Sequence, residues 1–154
     1  MELSEVIPQE GVLFALRSGS KRQALSELVS LAEGFVGVPQ RRILDAVLER
    51  ERLGSTGIGG GVAIPHARLP EVERPWGFFA RLDRPIEFGA VDEQPVDLVF
   101  LLLTPATAGA DHLKMLARIS RLLRQQATEE RLRAAHDAAV VYSVLTEPVA
   151  VTAA

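Results

Sequence analysis

The run VDLVFLLL, residues 96–103, is the feature that most restricts how this chain can fold. Its apolar side chains fall on both faces of an extended strand, whereas a strand with one wet face alternates apolar and polar residues. A strand of this kind has to be covered on both sides by other elements. Because helical patterns occur before and after it, we expect an α/β fold, a single three-layer α/β/α domain around this central strand.

Composition and charge exclude several classes of function. The 154 residues are 47% hydrophobic, which suits one domain with a real core, and the net charge of −3 at pH 7 lacks the basic footprint of a nucleic-acid-binding protein. The absence of cysteine excludes disulfides, thiolate nucleophiles and Cys-based zinc sites. The longest apolar run is far shorter than a membrane span, and the first residues do not resemble a signal peptide. We therefore expect a cytoplasmic protein with no nucleic-acid partner and no direct membrane insertion.

Apolar periodicity predicts the order of the secondary-structure elements. The predicted strands cover residues 11–16, 62–64, 76–82 and 96–103. The predicted helices carry apolar stripes at Ala24, Leu25, Leu28, Val29 and Ala32, then at Ile43, Leu44, Val47 and Leu48, and then at Leu113, Leu116, Ile119 and Leu123, with two shorter helices over 128–136 and 139–147. Candidate capping residues are Ser18 or Ser20, Pro39 in a first turn, Gly54 after a helix end and Asp111 at an N-cap.

The stretch GSTGIGGGVAIPHAR, residues 54–68, concentrates glycine beside a short apolar run. It contains no lysine, which excludes a Walker A loop, and a helix precedes it while a strand follows, which is the reverse of a dinucleotide fingerprint. One interpretation is that Gly57, Gly59, Gly60 and Gly61 turn their backbone N–H groups toward a group held on His66. The alternative is a mobile hairpin loop beside a buried histidine.

His66 is the strongest candidate nucleophile in this stretch. Pro65 restricts Ile64 to extended geometry, so we expect the imidazole to sit at a stiff strand end. If a backbone carbonyl accepts one ring N–H, the other nitrogen keeps its lone pair directed outward. The hydroxyls of Ser55 and Thr56 are weaker candidates, because no G-x-S-x-G elbow surrounds either residue.

Three segments together resemble one known family. GSTGIGGGVAIPHARL, PIEFGAVDEQPVDLVFLLLTP and DHLKML occur in the order found in IIA domains of the fructose/mannitol type, in the phosphoenolpyruvate-dependent phosphotransferase system, and in particular in their nitrogen-regulatory branch. The resemblance covers about residues 5 to 146 and departs from the pattern at Arg52, where lysine is usual. It implies a mixed central sheet, an EIIA type-2 domain over residues 1–148 and a short C-terminal tail over 149–154.

The resemblance also implies roles for three residues. His66 would accept a phosphoryl group from an HPr-like carrier, with Arg50 matching the arginine sixteen residues upstream and His112 matching the second active-site histidine of the family. A guanidinium suits two phosphoryl oxygens, and a helix N-terminus around His112 favours an anion. The loaded and empty states would then be read by regulatory protein targets such as a kinase, transporter or enzyme, and we expect no cofactor.

Other functions remain open at this point. A sugar-delivering IIA protein would pass its phosphoryl group to a fructose- or mannitol-type IIB domain, and a non-catalytic binding module would accept none. A metal-dependent hydrolase is disfavoured, since the three histidines lack H-E-x-x-H or similar spacing, and we expect no metal site. We interpret His136 as a surface or satisfied histidine, Asp111 as a cap, and Asp92 with Glu93 as turn residues.

Overall fold

The computed structural model describes residues 1–147, and the expected tail over 149–154 lies outside them. Within the described residues, six helices and six strands follow one another: α1 (Leu3–Val6), β1 (Val12–Leu16), α2 (Lys21–Val36), α3 (Gln40–Arg52), β2 (Gly57–Gly59), β3 (Val62–Ala63), β4 (His66–Leu69), β5 (Trp76–Ile86), β6 (Val96–Pro105), α4 (Ala110–Leu123), α5 (Gln126–Ala134) and α6 (Ala138–Thr146). None of the helices in this part of the chain is both long and apolar enough to span a bilayer.

The strands form one mixed sheet in the order β1-β5-β6-β3-β2, and β4 pairs with β6 beyond the end of β3. β1 runs parallel to β5, while β5 runs antiparallel to β6. Both β3 and β4 run parallel to β6, and β2 turns back antiparallel to β3. The expected α/β fold with a mixed sheet is confirmed.

β6 is the central strand that the apolar run predicted. Consecutive residues from Leu98 to Leu103 are fully buried, and they alternate between two core clusters. Val99, Leu101 and Leu103 pack with α2 and α3 on one face of the sheet. Leu98, Phe100 and Leu102 pack with α1, α4, α5 and α6 on the other face. The sheet is therefore the middle of three layers, because a strand buried on both faces needs helices on each side.

The helix caps partly follow the sequence prediction. Ser20 is the N-cap of α2, with its side chain accepting a hydrogen bond from the Gln23 backbone N–H at 3.1 Å. Pro39 is itself the N-cap of α3 rather than a first-turn residue. Gly54 comes directly after the C-cap Leu53, as expected.

Helix α4 corrects two details of the sequence prediction. Its N-cap is Gly109, so Asp111 lies exposed in the first turn and does not cap the helix. The buried stripe consists of His112, Met115, Ile119 and Leu123, which differ by three or four positions. Leu113 is 66% exposed rather than inward, because it lies one position away from this stripe on the helix surface.

The glycine-rich stretch ends in an interrupted strand instead of one short strand. Val62 lies opposite Leu98 and His66 lies opposite Leu102, so β3 and β4 follow the same edge of β6 on either side of a break at Pro65. The carbonyl of Pro65 accepts a hydrogen bond from the Leu102 backbone N–H at 3.0 Å. Proline has no N–H to continue the ladder, which explains the break. His66 therefore begins a strand rather than ending one.

Candidate functional site

The imidazole of His66 is held by the backbone just before it. Its Nδ1 lies 2.9 Å from the carbonyl oxygen of Ile64. Because a carbonyl oxygen only accepts hydrogen bonds, Nδ1 carries the proton and Nε2 keeps its lone pair. The extended geometry that Pro65 imposes on Ile64 thus leaves Nε2 as the ring nitrogen of His66 with a lone pair.

Arg50 is the residue that meets this lone pair. It lies half-buried in the last turn of α3, and its Nε donates to His66 Nε2 at 3.2 Å. Its Nη1 donates to the carbonyl oxygen of Gly54 at 2.8 Å, which fixes the guanidinium beside the ring. Among residues 1–147, no carboxylate forms an ion pair with Arg50. The charge of Arg50 is therefore available to an anion.

His112 approaches from the other helical layer. It lies in the first turn of α4 with 6% of its surface exposed, and its ring centroid is 5.3 Å from that of His66. Its Nδ1 lies 2.5 Å from Oγ1 of Thr104, a residue of β6 that is 1% exposed. The structure thus brings together His66, Arg50 and His112, three residues that lie far apart in the sequence.

Burial keeps both histidines neutral near pH 7. For His66, burial lowers the pKa, the charge of Arg50 lowers it further, and the hydrogen bond to Ile64 opposes the shift. For His112, burial lowers the pKa from 6.5 to about 4, together with repulsion of its charged form by a protonated His66 and by Arg68. A neutral imidazole keeps one free lone pair, so His66 is poised as a nucleophile without a separate base.

An open cavity of about 690 Å³ surrounds the two rings. It is lined by cationic, imidazole and apolar residues, and none of its lining residues within the described chain is acidic: Ala46, Arg50, Leu53, His66, Ala67, Arg68, Gly109, His112, Leu113 and Leu116. Gly109 places the N-terminus of α4 at this cavity, where the free N–H groups and the helix dipole favour negative charge. The cavity therefore suits an anionic group.

The four glycines expected to cradle a phosphoryl group form a β-hairpin. Gly57 and Gly59 belong to β2, and Gly60 and Gly61 make the turn with φ of +66° and +80°. The N–H of Gly60 donates to the Asp92 carboxylate at 3.0 Å. At these two positions glycine is required by the left-handed backbone of the turn.

This hairpin lies away from His66. The carbonyl of Gly61 accepts from the N–H groups of Asp97 and Leu98, whereas His66 lies opposite Leu102 on the same strand. Four residues of a strand span about 13 Å. The four glycines are absent from the residues that line the cavity, so the structure does not bring them to the histidine pair. The N-terminus of α4, rather than the glycine amides, lies at this cavity.

A buried network fixes the loop that follows Arg50. The carboxylate of Glu51, with 5% of its side chain exposed, accepts from Lys21 Nζ at 2.7 Å, from the Thr56 N–H at 3.2 Å and from the Thr56 hydroxyl. The Ser55 hydroxyl donates to the carbonyl oxygen of Phe88 at 3.0 Å. Both hydroxyls are thus committed to structural hydrogen bonds, consistent with their ranking below His66 as nucleophiles.

Sequence reasoning missed Glu51, Arg68 and Thr104. Glu51 lies in the run ERER, which is typical of a solvated charged surface, and Arg68 follows His66 by two positions on the same face of β4. Thr104 has no local signal at all, because its partner belongs to another element. His136 is exposed between α5 and α6, and the described residues contain no group of three or more metal-ligating side chains.

The arrangement has a definite chemical capacity. The neutral Nε2 of His66 can attack an electrophile, and the guanidinium of Arg50 lies within reach of a group bound to that nitrogen. The second imidazole and the N-terminus of α4 also line the cavity, where the helix N–H groups can donate to such a group. Such a site suits covalent acceptance of a group that carries negative charge.

A family model matches residues 5–147; its description is phosphoenolpyruvate-dependent sugar phosphotransferase system, EIIA 2. A nitrogen regulatory protein of Bradyrhizobium diazoefficiens is 53% identical over 153 residues, which cover 99% of this chain and 100% of that protein. A fructose-specific EIIA component of Haloferax volcanii is 38% identical and covers 96% of this chain and 97% of its own.

Solved structures show the same fold. The nitrogen regulatory protein IIA-Ntr of Neisseria meningitidis superposes with a TM-score of 0.89 at 34% identity, covering 94% of this chain and 99% of that one. The IIA mannitol structure of Escherichia coli superposes with a TM-score of 0.75 at 19% identity, covering 90% of this chain and 97% of that one. The second match supports the fold alone.

Proposed function

The chain belongs to the EIIA 2 family of the phosphoenolpyruvate-dependent sugar phosphotransferase system, and from this premise we propose that His66 accepts a phosphoryl group from an HPr-like carrier. In this proposal the phosphorylation state is read by protein partners, as in a nitrogen-regulatory IIA protein. The observation that carries it is the unprotonated Nε2 of His66, in a ring that the Ile64 carbonyl holds through Nδ1. This nitrogen accepts a hydrogen bond from Arg50, which has no carboxylate partner in the described chain.

The transfer itself is an in-line exchange between two imidazoles. The bond from His66 Nε2 to phosphorus forms as the nitrogen–phosphorus bond of the donor phosphohistidine breaks, and the electron pair of that bond returns to the donor ring. Arg50 Nε first has to leave the lone pair that it now meets at 3.2 Å. It can then donate to the incoming phosphoryl oxygens, so the proposal assigns one side chain to both the empty and the loaded state.

The product state would be stabilised by the charges of the cavity. The phosphoryl group on His66 would itself carry about −1.5 to −2 charges, and Arg50 and the N-cap Gly109 of α4 both line the cavity in which it would lie. A dianion close to His112 would raise the pKa of that residue and strengthen its N–H as a donor. Positioning and charge neutralisation would thus supply most of the catalysis, since phosphoryl transfer needs little covalent machinery.

The regulatory part of the proposal is supported by the relatives and by the rim of the cavity. The two nitrogen regulatory relatives described above cover nearly the whole chain. Leu53 and Leu113, which line the cavity, are 83% and 66% exposed. A partner that covers these leucines would meet a cationic cavity when His66 is empty and an anionic group when it is loaded. We propose that this change of charge, in the cytoplasm, distinguishes the two states for regulatory targets.

The test is phosphoryl uptake from phosphoenolpyruvate in the presence of enzyme I and an HPr-type carrier. We expect an acid-labile phosphate on the wild-type protein, none on His66→Ala, and unchanged labelling of His136→Ala, the matched control for an exposed histidine. Unchanged labelling of His66→Ala would refute the site. A complete lack of labelling on the wild type would favour a non-catalytic binding module.

A second experiment distinguishes the regulatory role from sugar delivery. Sugar delivery is the second candidate function because a fructose-specific EIIA component is 38% identical to this chain. The phosphorylated protein is mixed with fructose-type and mannitol-type IIB domains, and in parallel wild type, His66→Ala and His66→Glu are compared in a pulldown. Rapid transfer to a IIB domain would overturn the regulatory assignment. State-dependent capture of a partner without transfer to IIB would support it.

A further inference from the structure

Thr104 is the residue that meets the second histidine from the central strand. Its Oγ1 lies 2.5 Å from His112 Nδ1, and the residue is 1% exposed. Within residues 1–147, His112 Nδ1 is the one hydrogen-bond partner of this hydroxyl. The two side chains therefore form a buried hydrogen bond with each other. Which of the two atoms donates decides which nitrogen of His112 carries the proton.

The two directions of this hydrogen bond differ in free energy. If Nδ1–H donated, the buried hydroxyl proton of Thr104 would have no acceptor in the described chain, and an unsatisfied buried donor is costly. If the hydroxyl donates, only spare oxygen lone pairs are left without a partner, which proteins tolerate more often. The second direction places the proton of His112 on Nε2.

We propose that Thr104 is a positioning residue: its hydroxyl donates to His112 Nδ1 and holds His112 in the tautomer with Nε2–H, the donor for a group on His66. The last clause rests on the proposed function, whereas the tautomer itself does not. The two facing rings then have opposite tautomers, His66 with its proton on Nδ1 and His112 with its proton on Nε2. The backbone carbonyl of Ile64 thus sets the tautomer of the nucleophile His66, and the hydroxyl of Thr104 sets the tautomer of the donor His112.

Opposite tautomers matter because both rings are neutral. A neutral imidazole presents either a donor or a lone pair at Nε2, and a lone pair on His112 would repel the oxygens of an anionic group. Burial keeps the pKa of His112 at about 4, so protonation does not supply the second N–H near pH 7. A fixed tautomer is then the way in which this ring offers a donor before the charge on His66 changes.

The direct test is the ¹⁵N spectrum of histidine-labelled, unphosphorylated protein. We expect a pyridine-type shift for His112 Nδ1 with a pyrrole-type shift for its Nε2, and the reverse assignment for His66. His136, which is exposed, provides the reference for a ring in water. A pyrrole-type shift for His112 Nδ1 would overturn the proposal, and this result is obtained whether or not the protein accepts phosphate.

Two variants separate positioning from mere packing. Thr104→Val keeps the shape but removes the hydroxyl, and we expect mixed tautomer shifts at His112 and phosphoryl uptake slower by about threefold to tenfold, the value of one net hydrogen bond. Thr104→Ser keeps the hydroxyl, and we expect wild-type shifts and uptake within about twofold of wild type. A purely structural role would lower the stability of Thr104→Val without changing the His112 shifts.

The outcomes distinguish this inference from the proposed function. If Thr104→Val shows unchanged shifts and unchanged uptake, the inference is overturned while phosphoryl acceptance on His66 stands. If the wild type has the expected shifts but accepts no phosphate, the tautomer assignment stands and the proposed function fails. Should Thr104→Val not fold, the wild-type spectrum and the Thr104→Ser rescue still decide the question.

Discussion

Two polar clusters lie beside opposite ends of β6, and they differ in how completely their charges are compensated. At the hairpin end, Arg133 donates to Asp97 at 2.8 and 3.0 Å and to the carbonyl of Gly60 at 2.8 Å, and Glu129 lies 3.9 Å from the same guanidinium. At the other end, Arg50 faces a neutral ring and a carbonyl. Only the second cluster therefore leaves a guanidinium without a carboxylate partner in the described chain, and such a group remains able to bind an outside anion.

The pKa directions follow the same division. The hydrogen bond to Asp97 raises the pKa of Arg133, as expected for a cation that is satisfied within the fold. Burial lowers the pKa of His66 and His112, which are held neutral and receive no carboxylate partner in the described chain. The hairpin cluster therefore stabilises the fold, and the histidine cluster keeps a capacity for an outside anion.

The largest expected effect comes from removing the guanidinium at each end in turn. Arg50→Gln should slow phosphoryl uptake by about 10- to 150-fold, the value of a charge-assisted hydrogen bond, and leave the free energy of unfolding nearly unchanged. Arg133→Gln should lower the free energy of unfolding and leave the rate of phosphoryl uptake nearly unchanged. Rates of ³²P uptake and urea unfolding curves measure both; equal rates for the two variants would break the comparison.

The pH dependence of stability tests the neutral state of His112. In the folded protein the pKa of His112 is about 4, against an ordinary value of 6.5. As the pH falls, the unfolded chain therefore binds the proton first. The free energy of unfolding falls as the pH drops from 6.5 toward 4. One such group contributes at most about 1.4 kcal/mol per pH unit. Urea unfolding at several pH values should show a shallower slope for His112→Gln than for wild type.

The matched control for this pH series is His136→Gln, which removes an exposed imidazole that meets water in both states. Its stability should follow the wild-type slope throughout the range. If His112→Gln also follows that slope, His112 does not bind its proton differently in the folded and unfolded states, and the contrast between the two clusters loses this support.

A smaller effect is expected at the hairpin turn. Gly61→Ala forces an alanine into φ of +80° and places its Cβ 2.9 Å from Asp97 Oδ1, so we expect a loss of about 1–2 kcal/mol in the free energy of unfolding. Phosphoryl uptake by the folded fraction should stay at the wild-type rate. A marked loss of uptake would place the glycines in the proposed phosphoryl site and contradict the separation seen along β6.

The smallest effect concerns the exposed apolar residue near each cluster. Leu113→Ser at the cavity rim and Val91→Ser near the hairpin, at 66% and 75% exposure, should each change stability by less than about 0.5 kcal/mol. Uptake from the carrier should slow by about two- to fivefold for Leu113→Ser alone, since a partner would cover that residue. Titration of the carrier concentration would separate weaker docking from slower chemistry.

Several parts of the candidate site could be predicted from the sequence. Pro65 beside Ile64 indicated a fixed imidazole at His66, and the carbonyl of Ile64 is the acceptor that this reasoning required. The roles of Arg50 and His112 came from resemblance to a family. The structure brings both to His66, through a hydrogen bond of 3.2 Å and ring centroids 5.3 Å apart.

The glycine-rich stretch shows why the rest could not be predicted. Gly60 and Gly61 lie within six residues of His66 in sequence, yet residues 62–65 run extended along β6. The turn therefore stays near Asp97 and Leu98, which contact Gly61, while His66 lies opposite Leu102. Thr104 gave no signal, because its contact with His112 depends on how α4 packs on β6. Local patterns report conformation over a few residues and do not report which side chains meet.

By itself, the sequence determined the central strand, the order of the main elements and the stiff backbone at His66, because these depend on burial pattern and on the restricted dihedrals of proline. Only the tertiary structure decided which groups surround the imidazole. The register of β4 on β6 and the packing of α3 and α4 against opposite faces of the sheet carry Arg50 and His112 to one edge. That convergence depends on long-range packing, which short-range patterns do not encode.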